Sequence, residues 1–262
     1  VDHTITGNIG NLTGGSDGGP DNELKLITIE GNVVTTGNIA ASFITFDPTS
    51  AGSDYTTLTI ADGKTIEGDI TTTLANTGTL IFLGDATVNG DVGTDALGLK
   101  AIKAYGGLGE VVTINGLVFV SGSTVEILGV GTVILTDDTE DAAMFFEDGV
   151  LQLNAGVDFT DTGVIATDAA NQGTLTLLGH LGGDIMTIAG DIGDINGGGG
   201  SDNELKLINI TGTVETLGNI AATNIVFTGV GSLSIAAGKT LESSLITGDG
   251  AAQTLLNSGN IN

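Results

Sequence analysis

The sequence lacks cysteine, tryptophan and arginine, and it is poor in proline and in basic residues. Of its 262 residues, 2 are Pro and 6 are basic, all of them Lys, against 32 acidic residues. The absence of Cys excludes a disulfide framework. A net charge of −26 repels nucleic acids and anionic membrane surfaces, so we expect neither as a partner. No apolar run approaches the length of a membrane span, and no membrane insertion is expected.

Glycine and short β-forming segments are what the sequence has in abundance. There are 44 Gly, and segments rich in Ile, Val and Thr, such as Leu24–Ile29 and Leu58–Ile60, alternate with Gly, Asn or Asp. Such segments predict short strands joined by turns, and no segment sustains a helical period. Strands this short and this dense favour an all-β, right-handed parallel β-helix (β-solenoid) with roughly 20 residues per turn. A dozen or so turns would make a rod about 60 Å long.

A seven-residue motif occurs three times, at Thr4–Gly10, Thr87–Gly93 and Thr187–Gly193. It reads Thr, Ile or Val, any residue, Gly, Asp or Asn, Ile or Val, Gly. Recurrence of a motif at long spacing is typical of repeat architectures. The sequence therefore predicts one solenoid over 1–262, made of three degenerate repeats. The units are 4–86, 87–186 and 187–262, the last continued by residues 1–3 of a neighbouring copy.

The third unit repeats the first with high identity. Residues 203–208 match residues 22–27 at an offset of 181. After a deletion, residues 233–241 match residues 58–66 at an offset of 175. The offset of 181 returns where Leu255–Gly259 align with Leu74–Gly78. Insertions and deletions confined to turns are typical of stacked repeats.

Two sets of residues are candidates for stacking inside such a solenoid. The alignment gives Phe46 and Phe227 equivalent core positions. Asn76, Asn171 and Asn257 each stand two residues before a Gly. They either stack as a ladder at a corner or are turn residues only, and the sequence favours neither alternative.

The two termini suggest self-assembly. The third unit stops inside a strand slot, and residues 1–3 read as its missing tail. An unfinished turn carries unpaired backbone groups that template another strand, which predicts head-to-tail assembly. The alternative is a piece of a longer repeat array. We favour assembly because monomeric solenoids carry polar caps and none is visible. The predicted assembly residues are Val1, Asp2, His3, Thr4, Ile5, Asn257, Gly259, Asn260, Ile261 and Asn262.

Catalysis finds little support in the sequence. The only histidines, His3 and His180, are isolated, and both precede a repeated motif, where a solvated turn is the better interpretation. An enzyme acting on acidic polysaccharides needs cationic groups and aromatic platforms, but this chain has no Arg and 4% aromatic residues. We therefore predict no catalytic residue and no organic cofactor.

Calcium is the one cofactor for which candidate ligands exist. A Gly-rich acidic segment occurs twice, and flexible turns carrying several oxygen ligands suit a hard cation. The predicted ligands are Asp17, Asp21, Glu23, Asp202 and Glu204. The alternative interpretation is a pair of solvated acidic turns.

The repeats also resemble a known family. The phrases Gly-Asn-Ile-Ala (37–40), Ile-Ala-Asp-Gly-Lys-Thr-Ile (60–66) and Asn-Thr-Gly-Thr-Leu (76–80) are similar to the passenger repeats of rickettsial-type surface antigens and related autotransporters. The likeness covers residues 1–262. It implies an extracellular or cell-surface β-helix of the surface-coat or adhesin type.

The leading expectation is therefore a non-enzymatic extracellular structural protein. Its partners would be copies of itself, joined head to tail into a filament or surface coat. A monomeric adhesin passenger with an unknown receptor is the first alternative. A polysaccharide-acting β-helix enzyme is the less favoured one, because it needs carboxylates aligned on one face of consecutive turns.

Overall fold

The computed structural model describes residues 2–10, 24–48, 56–160, 163–167, 169–179, 185–194, 204–250 and 252–261. Within these ranges every regular element is a β-strand, and no helix occurs. The strands are β1 Asp2–Ile5, β2 Leu24–Ile29, β3 Asn32–Thr35, β4 Ile39–Phe46, β5 Thr57–Ile60, β6 Lys64–Thr72, β7 Thr77–Phe82, β8 Ala86–Asn89, β9 Leu99–Gly106, β10 Val111–Ile114, β11 Val118–Gly129, β12 Thr132–Leu135, β13 Thr139–Phe146, β14 Val150–Leu153, β15 Ile165–Thr167, β16 Gln172–Leu178, β17 Met186–Ile188, β18 Leu205–Thr216, β19 Ile220–Ile235, β20 Thr240–Gly248, β21 Thr254–Asn257 and β22 Asn260–Ile261.

The strands stack in parallel, each on a strand from the next turn of the chain. One sheet has the order β1-β3-β5-β7-β9-β11-β13-β15. The other has the order β2-β4-β6-β8-β10-β12-β14-β16-β18-β19-β20-β22, with β17 paired to β18 and β21 paired to β19. Non-consecutive parallel neighbours mean that the chain winds around an axis. The predicted all-β parallel β-solenoid is confirmed.

The register divides the rod into three faces, each with a continuous column of stacked residues. The first face is defined by twelve residues, linked pair by pair along the rod: His3, Val33, Leu58, Leu80, Ile102, Val125, Met144, Ile165, Ile192, Ile220, Leu241 and Ile261. At about 4.8 Å per step, its eleven steps span about 53 Å.

The other two faces have columns of eleven residues each. The second face is defined by Ile9, Ile39, Ile66, Val88, Ile114, Leu135, Leu153, Leu177, Ile210, Phe227 and Gly248. The third face is defined by Ile27, Ile44, Ile70, Val92, Val118, Thr139, Phe159, Ile188, Thr216, Ile235 and Asn257. Long strands such as β18 and β19 bend around a corner and contribute to more than one face.

The hydrophobic core is the interior of these columns. Alternate residues of each strand point inward, as the burial of Val112, Ile114, Val133 and Leu135 between half-buried neighbours shows. Apolar side chains thus stack on apolar side chains along the whole rod, which removes them from water on every turn.

Phe46 and Phe227 occupy equivalent core positions, as predicted. Phe46 pairs with Ile29 and Phe227 pairs with Ile210, and these two partners are themselves 181 residues apart (210 − 29). Both rings are buried.

One predicted alignment is wrong. Leu255 pairs with Leu233, which matches Leu58, and Leu58 pairs with Leu80. Leu255 therefore occupies the position of Leu80, at an offset of 175, and not that of Leu74. The offset of 175 therefore holds from Leu233 to Leu255, and the predicted return to 181 does not occur. Sequence identity in Gly- and Asn-rich turns was too weak to show this.

The asparagine ladder is also absent from the predicted positions. Asn76 and Asn171 are turn residues with φ of 59° and 62°, and they precede strands on the first and second faces, respectively. Asn257 instead lies within β21, on the third face. Residues on three different faces cannot stack, so the turn alternative holds for Asn76 and Asn171.

Thr139 provides a test of the column packing. It lies fully buried between Val118 and Phe159, and its hydroxyl has no hydrogen-bond partner among the described residues. We expect Thr139→Val to stabilise the protein by about 1 kcal/mol, because an unpaired buried hydroxyl is replaced by a methyl group of similar size. The urea midpoint of unfolding measures the change.

Thr72→Val is the matched control. Thr72 is equally buried, but its hydroxyl lies 2.6 Å from the Thr77 hydroxyl and donates to the Leu74 carbonyl at 3.0 Å. This variant should lower the urea midpoint. A lower midpoint for Thr139→Val as well would contradict the assigned environment of Thr139.

Candidate functional site: corner ladders and rod ends

The repeated motif forms a corner that connects one turn to the next. In each copy the fifth residue, Asp or Asn, accepts a backbone N–H from the following turn. Asn8 Oδ1 accepts from Asn38 N at 2.9 Å, and Asp91 Oδ1 accepts from Leu117 N at 2.9 Å. Asp191 Oδ1 accepts from Asn219 N at 2.6 Å. Backbone donors that lie between strands and have no sheet partner are satisfied in this way.

Other Asp and Asn residues extend these bonds into corner ladders. Asn38 Oδ1 accepts from Thr65 N at 2.9 Å, and Asn219 Oδ1 accepts from Thr240 N at 3.0 Å. Asp69 Oδ1 accepts from Asp91 N at 3.0 Å. Carboxylates and amides thus perform the same task, which is to accept an N–H from the turn that follows.

The acidic stretch 137–141 joins the same system. Asp138 Oδ1 accepts from Asp158 N at 2.7 Å, and Asp158 Oδ1 accepts from Thr187 N at 2.7 Å. The structure shows that Asp138 is a corner residue of the ordinary kind.

The last glycine of the motif is required by close approach as well as by conformation. Gly93 has φ of +81°, and a Cβ built there would overlap the carbonyl oxygen of Phe119 on the next turn. Gly10 and Gly193 meet Ala40 and Ala221 in the same way. Only glycine lets the backbones of successive turns approach this closely.

The three copies of the motif lie on three different faces. Ile5 pairs with Thr35 beside the first-face column, Val88 belongs to the second-face column, and Ile188 belongs to the third-face column. Each unit therefore winds the chain around the rod axis by a whole number of turns plus the step from one face to the next. The sequence showed the recurrence but not this rotation, because spacings of 83 and 100 residues contain turns of unequal length.

Asp91 tests the ladder bond. We expect Asp91→Ala to destabilise the protein by about 2 kcal/mol, because the N–H of Leu117 loses a charged acceptor in a partly buried corner. Asp91→Asn keeps an oxygen at the same place and should cost less than about 1 kcal/mol, as Asn8 and Asn38 perform the same task. Urea denaturation followed by circular dichroism compares them, and equal losses would show that the bond is not the relevant interaction.

Gly93 tests the close approach. We expect Gly93→Ala to cost about 3 kcal/mol or more, from the left-handed φ together with the overlap. Gly109→Ala is the control, because Gly109 has φ of +90° with no atom near the position of a Cβ. That variant should cost about 1–2 kcal/mol, the conformational part alone. Similar urea midpoints for the two variants would refute the tight contact with Phe119.

The predicted assembly residues that are described lie at opposite ends of the rod. Asp2–Ile5 form β1, which pairs on one side only, with β3. Asn257 lies in β21, and the N–H of Gly259 donates to Asn257 Oδ1 at 2.8 Å. Asn260 and Ile261 form β22, which pairs with β20. Val1 and Asn262 lie outside the described residues.

Core positions become exposed at the N-terminal end. Leu24 and Leu205 are equivalent by their pairing with Ala41 and Ala222. Leu205 also pairs with Gln172 of the preceding turn and is 0% exposed, whereas Leu24 is 44% exposed. The same side chain in the same slot is thus covered only where another turn precedes it.

The C-terminal end shows the same pattern. Ile246 pairs with Ile225, which is 0% exposed, yet Ile246 itself is 37% exposed. Ile261 stacks on the buried Leu241 and is 57% exposed. Sequence analysis missed Leu24 and Ile246, because both have the same inward pattern as fully buried residues and only their place in the stack distinguishes them.

Most of the predicted calcium ligands fall outside the described residues, namely Asp17, Asp21, Glu23 and Asp202. Glu204 is described, and its main-chain carbonyl accepts a hydrogen bond from Asn171 N at 2.9 Å. Across the described ranges, no group of three or more His, Cys, Asp or Glu side chains is arranged to hold a metal ion. Calcium binding therefore stays a prediction.

The carboxylates that the fold aligns already accept hydrogen bonds from the protein itself. The corner aspartates accept backbone N–H groups, and Glu126 accepts from Thr124 Oγ1 and from Lys103 Nζ, both at 2.8 Å. Glu126 borders a shallow surface depression that is also lined by Leu128 and Phe145. His3 is exposed in β1, and His180 lies outside the described residues.

No protein-family model, no curated protein and no solved structure matches this chain. The resemblance to rickettsial-type surface antigens therefore stays a prediction. In the part of the chain that the structure describes, no helix is long and apolar enough to cross a membrane.

Proposed function

We propose that this chain is a non-enzymatic structural protein whose rods join end to end through their uncovered terminal turns. The observation that carries the proposal is the exposure of core positions at both ends. Leu24 and Ile246 are exposed there, while the residues equivalent to them or stacked on them inside the rod are buried.

Burial of these positions supplies the driving force. Fully burying a Leu or Ile side chain is worth about 1.5–3 kcal/mol, and each end has several partly exposed ones. The terminal strands also present unpaired backbone donors and acceptors in the extended geometry that another parallel strand fits. Further turns of the same fold satisfy both requirements, and a second copy of this chain provides such turns.

The register favours a second copy as the occupant. Ile261 stacks on Leu241, as Val88 stacks on Ile66, so Ile261 occupies the slot of the motif's second residue. That slot lies on the first face, where Ile5 also lies. After three units the motif position is again on the first face, where it began. Copies added end to end therefore follow one another without a rotation about the rod axis. The junction is then a stacking of whole turns and not the sharing of one strand.

The extracellular location and the surface-coat role extend this proposal. They are supported by the family resemblance of the repeats, and the engaged carboxylates support a non-enzymatic role. The charge of −26 opposes contact between rods, so assembly needs salt or divalent cations to screen it.

Electron microscopy of the purified chain tests the end contacts. At high protein concentration and 0.5 M NaCl we expect filaments that grow by whole rod lengths, and we expect Ile261→Asp and Ile246→Asp to shorten them at least tenfold by placing a charge in the junction. Val130→Asp is the control, because Val130 is 42% exposed at a corner in the middle of the rod. It should leave the filament length unchanged.

Separate short rods at every concentration, with and without calcium, would overturn the proposal. They would favour the alternative of a rod-shaped adhesin passenger that is displayed as a monomer. Equal shortening by Val130→Asp and the two end variants would show that added charge, and not the position of the junction, limits assembly.

A further inference from the structure

The outer surface of the second face carries no charge along its central column. The outward residues there are stacked in register over nine turns, and all are half-buried except the exposed Thr247. They are Thr65, Thr87, Thr113, Ile134, Gln152, Thr176, Asn209, Val226 and Thr247. None of these nine is among the 38 charged residues (6 + 32) of the chain.

The column on one side of it is equally neutral. Its stacked residues are Val111, Thr132, Val150, Thr174, Leu207, Asn224 and Leu245. We call these sixteen residues (9 + 7) the neutral face. Charged residues stand at its border. Lys206 Nζ lies 3.7 Å from Asp148 Oδ1, and Asn89 Nδ2 donates to Glu67 Oε1 at 2.7 Å. At the end of the second column, Asp85 Oδ1 accepts from Val111 N at 2.6 Å. A neutral centre with a charged rim is the usual anatomy of a protein interface.

Charged groups are placed differently on the rest of the rod. On the first face, the column that follows the inward residues contains the Lys103–Glu126 ion pair. The corners that precede the third face carry the ladder aspartates Asp69, Asp91 and Asp158. Two rods of charge −26 repel each other where such acidic corners meet. The neutral face is a side on which they can touch without bringing like charges into contact.

The size of the neutral face suits a weak contact between two copies. Eight steps of about 4.8 Å give a length of about 38 Å, and about four residues across a strand give a width of about 13 Å. The face therefore covers about 500 Å² on each rod and about 1,000 Å² for a pair, close to the lower limit for a specific interface. A flat, extended surface of this kind matches a second flat surface, and not a compact ligand.

We propose that the neutral face is a lateral docking surface for the neutral face of a second copy of this chain. The pair has two-fold symmetry, so that the same patch serves both partners. This inference rests on the proposed role in assembly but uses a surface different from the rod ends. It joins rods, or filaments of rods, side by side.

Gln152 is the central residue of the nine. A two-fold axis through the middle of the face brings Gln152 close to its own copy, whether the two rods run parallel or antiparallel. The chain has no cysteine, so Gln152→Cys introduces a unique thiol. Under mild oxidation the two thiols lose two electrons to the oxidant and form one disulfide bond, with release of two protons.

The cross-linking experiment uses Gln152→Cys in the full chain, with Thr59→Cys as the control. Thr59 is a half-buried outward residue in the middle of a strand on the first face. With oxidised glutathione we expect Gln152→Cys to form disulfide-linked dimers at least tenfold faster than Thr59→Cys. The rate should increase between 0.01 M and 1 M NaCl, because salt screens the repulsion of the rods. Equal rates for the two variants would refute the docking surface.

A pair of charge variants separates this surface from the rod ends. Thr113→Asp should abolish lateral pairing in sedimentation velocity and leave filaments of single-rod width, whereas Thr59→Asp should leave both unchanged. Ile261→Asp should shorten the filaments at least tenfold and leave the lateral dimer. Lateral pairing that survives Thr113→Asp would overturn the inference. If the unsubstituted protein forms lateral dimers but no filaments, that result would count only against the end-to-end contact.

Discussion

The parallel register between successive turns is the constraint on which the rest of this structure depends. Each residue stacks on one residue before it and one after it, so the chemistry of a position must suit a whole column and not a single site. Apolar residues stack inside, and the backbone bonds of each turn are completed by the next. At the corners, where sheet bonding stops, Asp and Asn side chains such as Asp91 and Asn219 take over as acceptors.

This arrangement completes every interior turn, whereas the turns at the two ends of the described stack are covered on one side only. The sequence of each turn defines the surface along the sides of the rod. The stacking of turns does not by itself determine how long the rod is. The same constraint distributes the charge, because aspartates are useful at corners and carboxylates are costly where strands must pack. Of the two proposed contacts, one lies at the ends of the stack and the other along the neutral face.

The sequence was sufficient to predict the fold, because short Ile-, Val- and Thr-rich segments with glycine turns and a recurring motif have few other solutions. It also placed Phe46 and Phe227 in equivalent positions. The sequence did not give the correct alignment of Leu255, and it did not show that Asn76 and Asn257 lie on different faces. The number of residues per turn varies, and an error in the length of one turn shifts the alignment of every residue after it. Sequence analysis also missed the role of Asp91 and its counterparts. The available signal was that the fifth position of the motif is always Asp or Asn. Its reason is a hydrogen bond to a backbone N–H of the next turn, and this bond can be seen only once the turns are stacked.

The rotation of the motif from face to face has a mechanical consequence. The corners of close backbone approach at Gly10, Gly93 and Gly193 lie at different heights and on different sides of the rod. If they were aligned along one edge, that edge would resist compression more than the others and the rod would bend preferentially away from it. Because they are staggered around the axis, these three corners favour no single bending direction. The motif thus distributes its stiffest points around the rod.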